Sequence, residues 1–493
     1  MIIYRHLRLS MRLTLVHSNS SIEGIYMPTA IAREFDNATA IAADMVRRYA
    51  VQGPRYTSYP TALNFSEAFT DRDYVRFLDD ARNSPSPLSL YVHIPFCRSL
   101  CYYCACNKII TKDPRASRRY LEHLNRELQL LSRHVGVSRR VSQLHLGGGT
   151  PNYLDKAEMT ELVHQLASHF NLDDSDDREF SIELDPRCVD EDYLALLKGL
   201  GFNRVSFGVQ DTNPDVQQAI NRVQSEDMIA ELVSLARRFK FRSVSADLIY
   251  GLPLQTEESF KATLDALIAM SPDRIAIYHY AHMPQRFKWQ KSMDRYPMPD
   301  SEEKLKIFAL ASQRLQAAGY LHIGMDHFVK PDDELAIYQQ QGRLQRNFQG
   351  YSTCHSPDVL GMGVSAISSL GRCYAQNEKD LEAYYAEIDA GRLPVARGLE
   401  LSAEDMLRRY VIMQLACNLK LDFKALYGRY QVSFSEKFAE VLPSLEEFHN
   451  SGVLLLSDEG IRITEAGRAV LRNVCMLFDE SLSLHRGAYS KTL

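Results

Sequence analysis

The stretch "YVHIPFCRSLCYYCACNK" (Tyr91–Lys108) sets four of the chain's nine cysteines inside ten residues, directly behind an apolar, β-rich run. The run spans 88–94 and reads as a strand. The cysteines follow as Cys97-x-x-x-Cys101-x-x-Cys104-x-Cys106. Similar runs recur at 141–146, 180–184, 204–209, 244–249 and 274–280. Helix-period segments lie between them at 120–131, 156–170, 190–200 and 225–239. Strands alternating with helices predict βαβ units on a parallel sheet. Six in succession predict an α/β fold with an incomplete parallel (β/α)6-type barrel. A seventh run, 320–325, is expected to close or flank it.

In a parallel barrel the reactive side chains sit at the carboxyl ends of strands. The unusual residues of this chain fall there. The four cysteines follow the first strand, and "GGGTP" (Gly147–Pro151) follows the second. Glu183 and Asp185 end the third, Gln210 follows the fourth, Asp247 lies near the end of the fifth, and "YHYAHMP" closes the sixth. Six loops are thus expected to converge on one site.

Three thiolates on one loop suit a soft metal or an iron–sulfur cluster. On a 4Fe–4S cube they leave one iron without a protein ligand, the open position that a catalytic cluster needs. Two other readings of the cysteines stand beside this one: a zinc knuckle with Cys106 as fourth ligand, and reduced core cysteines without metal. Taken singly, "GGG" is also a turn after a strand. Glu183 or Asp247 alone is also a barrel-mouth ion-pair residue, and Tyr91 alone is also packing.

The flanks are plainer. "GPRYTSYPTA" (Gly53–Ala62) mixes Pro, Gly and Ser with aromatic anchors and predicts an ordered extended arm, with a helix at 70–82. Past residue 375 helical patterns dominate (380–390, 403–415, 436–450). The segments 452–456 and 460–464 flank "SDEG" and predict a hairpin, followed by a helix from about 465. The expected divisions are an extension (1–43), an arm with its helix (44–87), the barrel domain (88–375), and a mainly helical, winged-helix-like carboxy-terminal domain (376–493). Residues 1–21 carry Arg5, Arg8 and Arg12 and no acid. They imitate a transit peptide or lie upstream of a true start at Met27.

At 493 residues with 45% hydrophobic and 24% charged residues, the composition is that of a globular protein. A net charge of −5 argues against a nucleic-acid partner. No stretch approaches eighteen consecutive apolar residues, so no membrane span is expected. Five scattered cysteines are unlike a secreted disulfide framework and point to a reducing cytoplasm. No apolar surface stripe demands a partner subunit, so a monomer is expected.

The strand, C-x-x-x-C-x-x-C and glycine-rich loop together resemble the radical S-adenosylmethionine superfamily. "GPRYTSYPTA", "YVHIPFC", "CNKI", "QLHLGGGTPNYL", "FNRVSFGVQD", "DLIYGLP", "GMDHF", "DDELA", "RNFQGY" and "LGMGVSAIS" narrow the likeness. From about Gly53 to about Phe478 the chain resembles the oxygen-independent coproporphyrinogen III dehydrogenase (oxidase) family of haem biosynthesis. That resemblance implies that Cys97, Cys101 and Cys104 hold a 4Fe–4S cluster. It implies that Gly148, Gly149 and Thr150 lie against the methionine part of S-adenosylmethionine. Tyr91, Tyr103, Glu183, Gln210, Arg222, Asp247, Ala281 and Ile367 match positions that contact one or two molecules of this cofactor.

The implied reaction converts two propionates of coproporphyrinogen III to vinyl groups, through a 5′-deoxyadenosyl radical, giving protoporphyrinogen IX. An electron donor of the flavodoxin or ferredoxin kind and a separate, unidentified electron acceptor are implied partners. Cys106 is typical of the dehydrogenases. Related haem chaperones usually lack both it and the arm, so a haem-delivery protein is the alternative. Arg55, Lys108 and Arg346 are candidates to pair with the substrate's carboxylates, though each also reads as a solvated charge. His93 and Gln349 are further pocket candidates, and His93 also reads as a satisfied core histidine.

Overall fold

Six apolar runs become six parallel strands that pair in sequence order: β1 (Leu88–Ile94), β2 (Arg140–Gly148), β3 (Glu179–Leu184), β4 (Arg204–Gln210), β5 (Ser243–Tyr250) and β6 (Arg274–His279). Buried residues alternate with less buried ones along them, most clearly in β3 and β4, so that one face of the sheet packs as core and the other lines the interior of the barrel. The computed structural model describes residues 48–49, 51–136, 138–353, 358–485 and 489. The expected extension 1–43 and the alternative start at Met27 lie outside the described residues.

Helices α1 (Asp71–Ala81), α2 (Pro114–Ser132), α3 (Lys156–His169), α4 (Glu191–Gly199), α5 (Glu226–Arg238), α6 (Glu257–Met270) and α7 (Ser301–Ala317) surround the strands. Their starts are encoded locally. Asp113 caps α2, with Pro114 as its first residue. Asp155 and Glu158 form a capping box on α3. On α2, Tyr120, Leu124, Leu128 and Leu131 recur at helical spacing and are all buried.

The barrel stays open. The 320–325 segment forms β7 (Leu321–Gly324) but does not touch β6. β8 (His327–Val329) lies between them, antiparallel to both, so the seventh strand flanks rather than closes. The chain turns back at Met325, whose φ is +51°, and this reversal forbids a parallel seventh unit. At the other edge β9 (Val359–Met362) adds parallel to β1. β10 (Ile367–Leu370), β11 (Cys373–Asn377) and β12 (Val395–Glu400) then continue antiparallel. The sheet therefore runs to Glu400, and residue 375 falls inside β11.

The following helices are α8 (Leu381–Asp389) and α9 (Ala403–Asn418). The single helix expected over 436–450 is two: Phe434–Lys437, then α10 (Leu442–Asn450). Pro443 opens α10 and lacks the N–H that a continuous helix would need there. The predicted hairpin forms as β14 (Leu454–Ser457) and β15 (Gly460–Ile463) and gains an edge strand, β13 (Lys420–Asp422). The helix expected from 465 is a 3-10 turn (Ala466–Val470) and a short helix (Leu471–Met476). Tyr56 and Tyr59 of the arm sit in this domain's own core, and Tyr56 Oη donates to Asp479 at 3.0 Å.

Candidate active site

The cysteine loop leaves β1 and is closed on itself. Phe96–Cys97 pairs with Ile109–Ile110, so both ends of the loop meet. Its outer turn is pinned by Asn221 Nδ2 to the Leu100 carbonyl (2.7 Å) and by the Tyr102 N–H to the Ile220 carbonyl (3.0 Å). Its inner turn is pinned by Trp289 Nε1 and Lys108 Nζ, which donate to the Cys104 carbonyl at 2.8 and 3.1 Å, and by Gln290 to the Tyr103 carbonyl. Lys108 also lies 4.0 Å from the centre of the Trp289 ring. A loop of this length held at four points is preorganised.

The sulfurs are surrounded by donors. Thr150 Oγ1 donates to Cys97 Sγ (3.3 Å), and Arg222 Nη1 and Arg187 Nη2 point at Cys101 Sγ (3.6 and 3.8 Å). Both arginines also pair with buried Asp185. A hydrogen bond from Cys106 and the charge of Lys108 outweigh burial and bring Cys104 down to about 6. Burial pushes Cys97 up to about 11, so its thiolate needs a cation to receive it. Three soft donors on one rigid loop, in a cationic shell, fit an iron–sulfur cluster. Among the described residues, no three His, Cys, Asp or Glu side chains are gathered as ligands of a single ion.

The glycine loop rests on this assembly. Gly149 N–H donates to the Ile94 carbonyl (2.8 Å), and a Cβ at Gly149 would stand 2.6 Å from the Pro95 carbonyl oxygen. Gly148 has φ +118°, and a Cβ there would press on the His93 ring at 2.9 Å. Both positions require glycine for the chain's own packing.

Tyr91, His93, Gly148, Glu183, Cys106, Lys108, Arg55, Arg346, Gln349 and Ile367 line one cavity of about 790 Å³. A smaller chamber of about 150 Å³ beneath it contains Asp247 and shares His145, Glu183, Tyr278 and Gln349 with the first. Cys97, Cys101, Cys104, Tyr103, Gly149, Thr150, Gln210, Arg222 and Ala281 are not among the residues lining either. Ala281 is tied in through its carbonyl, which accepts from Gln290. Gln210 ends β4 at a bulge with φ +68°, and its amide and the Arg222 guanidinium both lie against Gly208.

The wall carries polar tension. His145 joins Ser181 (2.6 Å) and Glu183 (3.2 Å). Burial raises Glu183, but its hydrogen bonds from His145 and Gly148 hold it below the usual carboxylate range. Burial, then the Glu183 charge, push Asp247 up to about 7. His93 uses both ring nitrogens, on the Tyr91 hydroxyl (3.1 Å) and the Asn107 carbonyl (3.0 Å), and so ties β1 to the cysteine loop. Arg55 donates to the His279 carbonyl (2.8 Å). Arg346 Nε and Nη1 and Gln349 Nε2 are buried without a protein partner, which marks them as donors for a ligand.

Sequence reading missed Arg286, Trp289, His327, Gln376 and Lys379, all on the cavity wall. Two runs carried a signal: "GMDHF", which holds His327, and "RFKW" after the sixth strand, which holds Arg286 and Trp289. Lys379 comes from a turn that sequence alone assigned to another domain.

Residues 91–267 match the family model of the radical SAM superfamily, and residues 401–470 match that of the HemN C-terminal domain. The chain is 48% identical over 452 residues to an oxygen-independent coproporphyrinogen III oxidase of Pseudomonas aeruginosa, covering 92% of this chain and 98% of that protein. It is 45% identical over 438 residues to the protein of that name from Escherichia coli K12, covering 89% and 95%. A solved structure described as coproporphyrinogen III oxidase (HemN) from Escherichia coli, a radical SAM enzyme, superposes with a TM-score of 0.84 at 45% identity, over 87% of this chain and 98% of that one. With such identity across nine-tenths of its length, and a cysteine loop and glycine loop in the arrangement described, the chain belongs to the oxygen-independent coproporphyrinogen III oxidase family of radical SAM enzymes.

Proposed function

We propose that this chain oxidatively decarboxylates two propionate side chains of coproporphyrinogen III to vinyl groups, yielding protoporphyrinogen IX without molecular oxygen. The observation that carries the reading is a three-thiolate loop built against a cation-lined cavity of about 790 Å³, a volume suited to a large organic ligand. Cys97, Cys101 and Cys104 would hold a 4Fe–4S cluster, which with S-adenosylmethionine supplies, when bound, the radical that takes a hydrogen atom from an unactivated propionate carbon.

The chain's own residues do the rest. Thr150, Arg187 and Arg222 stabilise negative charge on the sulfurs. Gly148 and Gly149 present bare backbone, and Tyr91, Glu183, Ile367 and Asp247 form walls for one or two cofactor molecules, with Tyr103, Gln210 and Ala281 behind them. Arg55, Lys108 and Arg346 offer charge to substrate carboxylates, and Gln349 offers an amide. Cys106 and His93 stand where the cysteine loop meets the cavity. The arm and the carboxy-terminal domain cover the site and exclude water.

A donor of the flavodoxin or ferredoxin class and a separate electron acceptor complete the reading, as does a monomer in the cytoplasm. Among the described residues, Cys188, Cys373, Cys417 and Cys475 lie singly outside the cysteine loop, a scatter unlike a disulfide framework that supports a reducing compartment. No helix among the described residues is long and apolar enough to cross a membrane.

The test is anaerobic, on protein with a reconstituted cluster. It is given S-adenosylmethionine, a reductant, coproporphyrinogen III and an electron acceptor. Protoporphyrin (after oxidation) and 5′-deoxyadenosine are expected together, and Cys97→Ala is expected to lose both. An intact cluster with bound S-adenosylmethionine and no porphyrin product would overturn the reading. Haem binding by that same preparation would put haem delivery in its place.

A further inference from the structure

Two cations on the rim of the large cavity, and a third behind them, come from parts of the chain far apart in sequence. Arg286 comes from the loop after β6, Lys379 from the turn after β11, and Arg397 from β12. Arg286 and Lys379 line the cavity while staying exposed, which places them at its mouth. Arg397 stands one layer behind, with Nε donating to Oε1 of Gln376 (2.8 Å), itself a wall residue.

No acid lies within ion-pair distance of any of the three among the described residues. Glu378 and Asp380 flank Lys379 in sequence, yet neither pairs with it. Asp380 is turned away to cap α8 through the Ala383 N–H. The Lys379 ammonium is held below its usual range, first by burial and then by the charges of Arg397 and Arg286. Burial likewise lowers Arg397, while the pull of the Glu67 charge opposes it and exceeds the push of Arg286. Like charge without a direct ion pair raises the energy of the empty site and is relieved by a bound anion.

The cluster is also in register with the cysteine loop. Asn107 Nδ2, one residue past Cys106, donates to the Lys379 carbonyl (3.1 Å). On the other side, Trp289 Nε1 and Gln290 Nε2, just beyond Arg286, donate to the Cys104 and Tyr103 carbonyls (2.8 and 3.2 Å). An anion held by Arg286 and Lys379 is therefore held at a fixed offset from the thiolates.

We propose that Arg286 and Lys379, backed by Arg397, form a carboxylate site at the cavity mouth that grips a substrate propionate not undergoing reaction and sets which propionate faces the cysteine loop. The inference rests on the proposed activity. It adds residues to Arg346 and Arg55 on the wall of the same cavity.

The experiment uses full-length protein with a reconstituted cluster, as wild type, Arg286→Gln, Lys379→Met, the double variant and the conservative Lys379→Arg. Binding of coproporphyrin III and of its tetramethyl ester is titrated by fluorescence in one matched detergent, and KM and kcat are measured for coproporphyrinogen III. Iron per chain and S-adenosylmethionine binding verify that each variant is loaded. The double variant is expected to weaken coproporphyrin III by on the order of tenfold or more, the scale of a lost charge-assisted contact, and to leave the ester unchanged. KM should rise more than kcat falls, and Lys379→Arg should recover most of the loss.

Loaded double variant with wild-type affinity for the free acid overturns the carboxylate site and leaves the activity standing. Wild type that binds coproporphyrin III through these residues but forms no product keeps the site and overturns the activity. Wild type that does not bind the porphyrin overturns both.

Discussion

A methyl group at Gly149 would sit 2.6 Å from the Pro95 carbonyl oxygen, with Phe96 O only 3.0 Å away. Both neighbours are backbone and belong to the entry of the cysteine loop, so neither yields cheaply. Gly149→Ala is expected to cost about 1–3 kcal/mol, read as a lower Tm, and to lower the iron retained per chain after reconstitution. Asp247 makes a different prediction. With its carboxyl raised to about 7 when folded and near about 4 when unfolded, the folded state binds more protons across that window. Stability therefore falls as pH rises from about 4 to about 7. Asp247→Asn removes this contribution. Relative to wild type it should gain stability steadily over that range and then level off, by on the order of 1 kcal/mol once solvent in the chamber is allowed for. Denaturant midpoints of apo protein at several pH values read the effect, and a constant difference between the two proteins would refute it.

At the scale of the element, the cysteine loop depends on its neighbours more than on itself. Arg222 sits in the loop after β4, 8% exposed, and joins Asp185 (3.2 Å) to Cys101 Sγ (3.6 Å) while donating to the Gly208 carbonyl. Arg222→Met removes the cation from a buried carboxylate that keeps only Arg187. A cost of about 2 kcal/mol is expected, with iron loss during gel filtration faster than in wild type. Trp289 belongs to the same logic, because its indole N–H supplies one of the five hydrogen bonds that pin the loop. The glycine loop, the third-strand acids and Gln210 were readable as strand-end features, because a period-two apolar run announces where a strand stops. The 284–293 segment was not readable, since it has no period and folds as 3-10 helix only where it packs against the loop.

For the whole molecule, Asp326 is where three parts meet. It pairs with Arg472 of the carboxy-terminal domain (3.3 Å, both 8% exposed), and it also lies in the fields of Arg55 from the arm and Arg346 from the cavity wall. Asp326→Asn leaves these arginines facing a neutral amide. It is expected to destabilise by about 3 kcal/mol and to make the region around residue 401 more sensitive to limited proteolysis. Unchanged Tm and cleavage would show that the arm and the terminal domain are held by their shared apolar core alone. That core includes Tyr56 and Tyr59, which the motif "GPRYTSYPTA" revealed as an ordered arm but not as part of another domain's interior.

The sequence by itself determined six βα units, the cysteine spacing and the family, because each rests on short-range pattern: strand period, helix caps, and ligands within one loop. Tertiary structure alone decided that β8 rather than β7 borders β6, that β9 to β12 extend the sheet to Glu400, and that Arg286 and Lys379 share one rim with Arg397 behind them. Those outcomes depend on contacts between residues tens to hundreds of positions apart, where no local period exists to read and only packing chooses the neighbour.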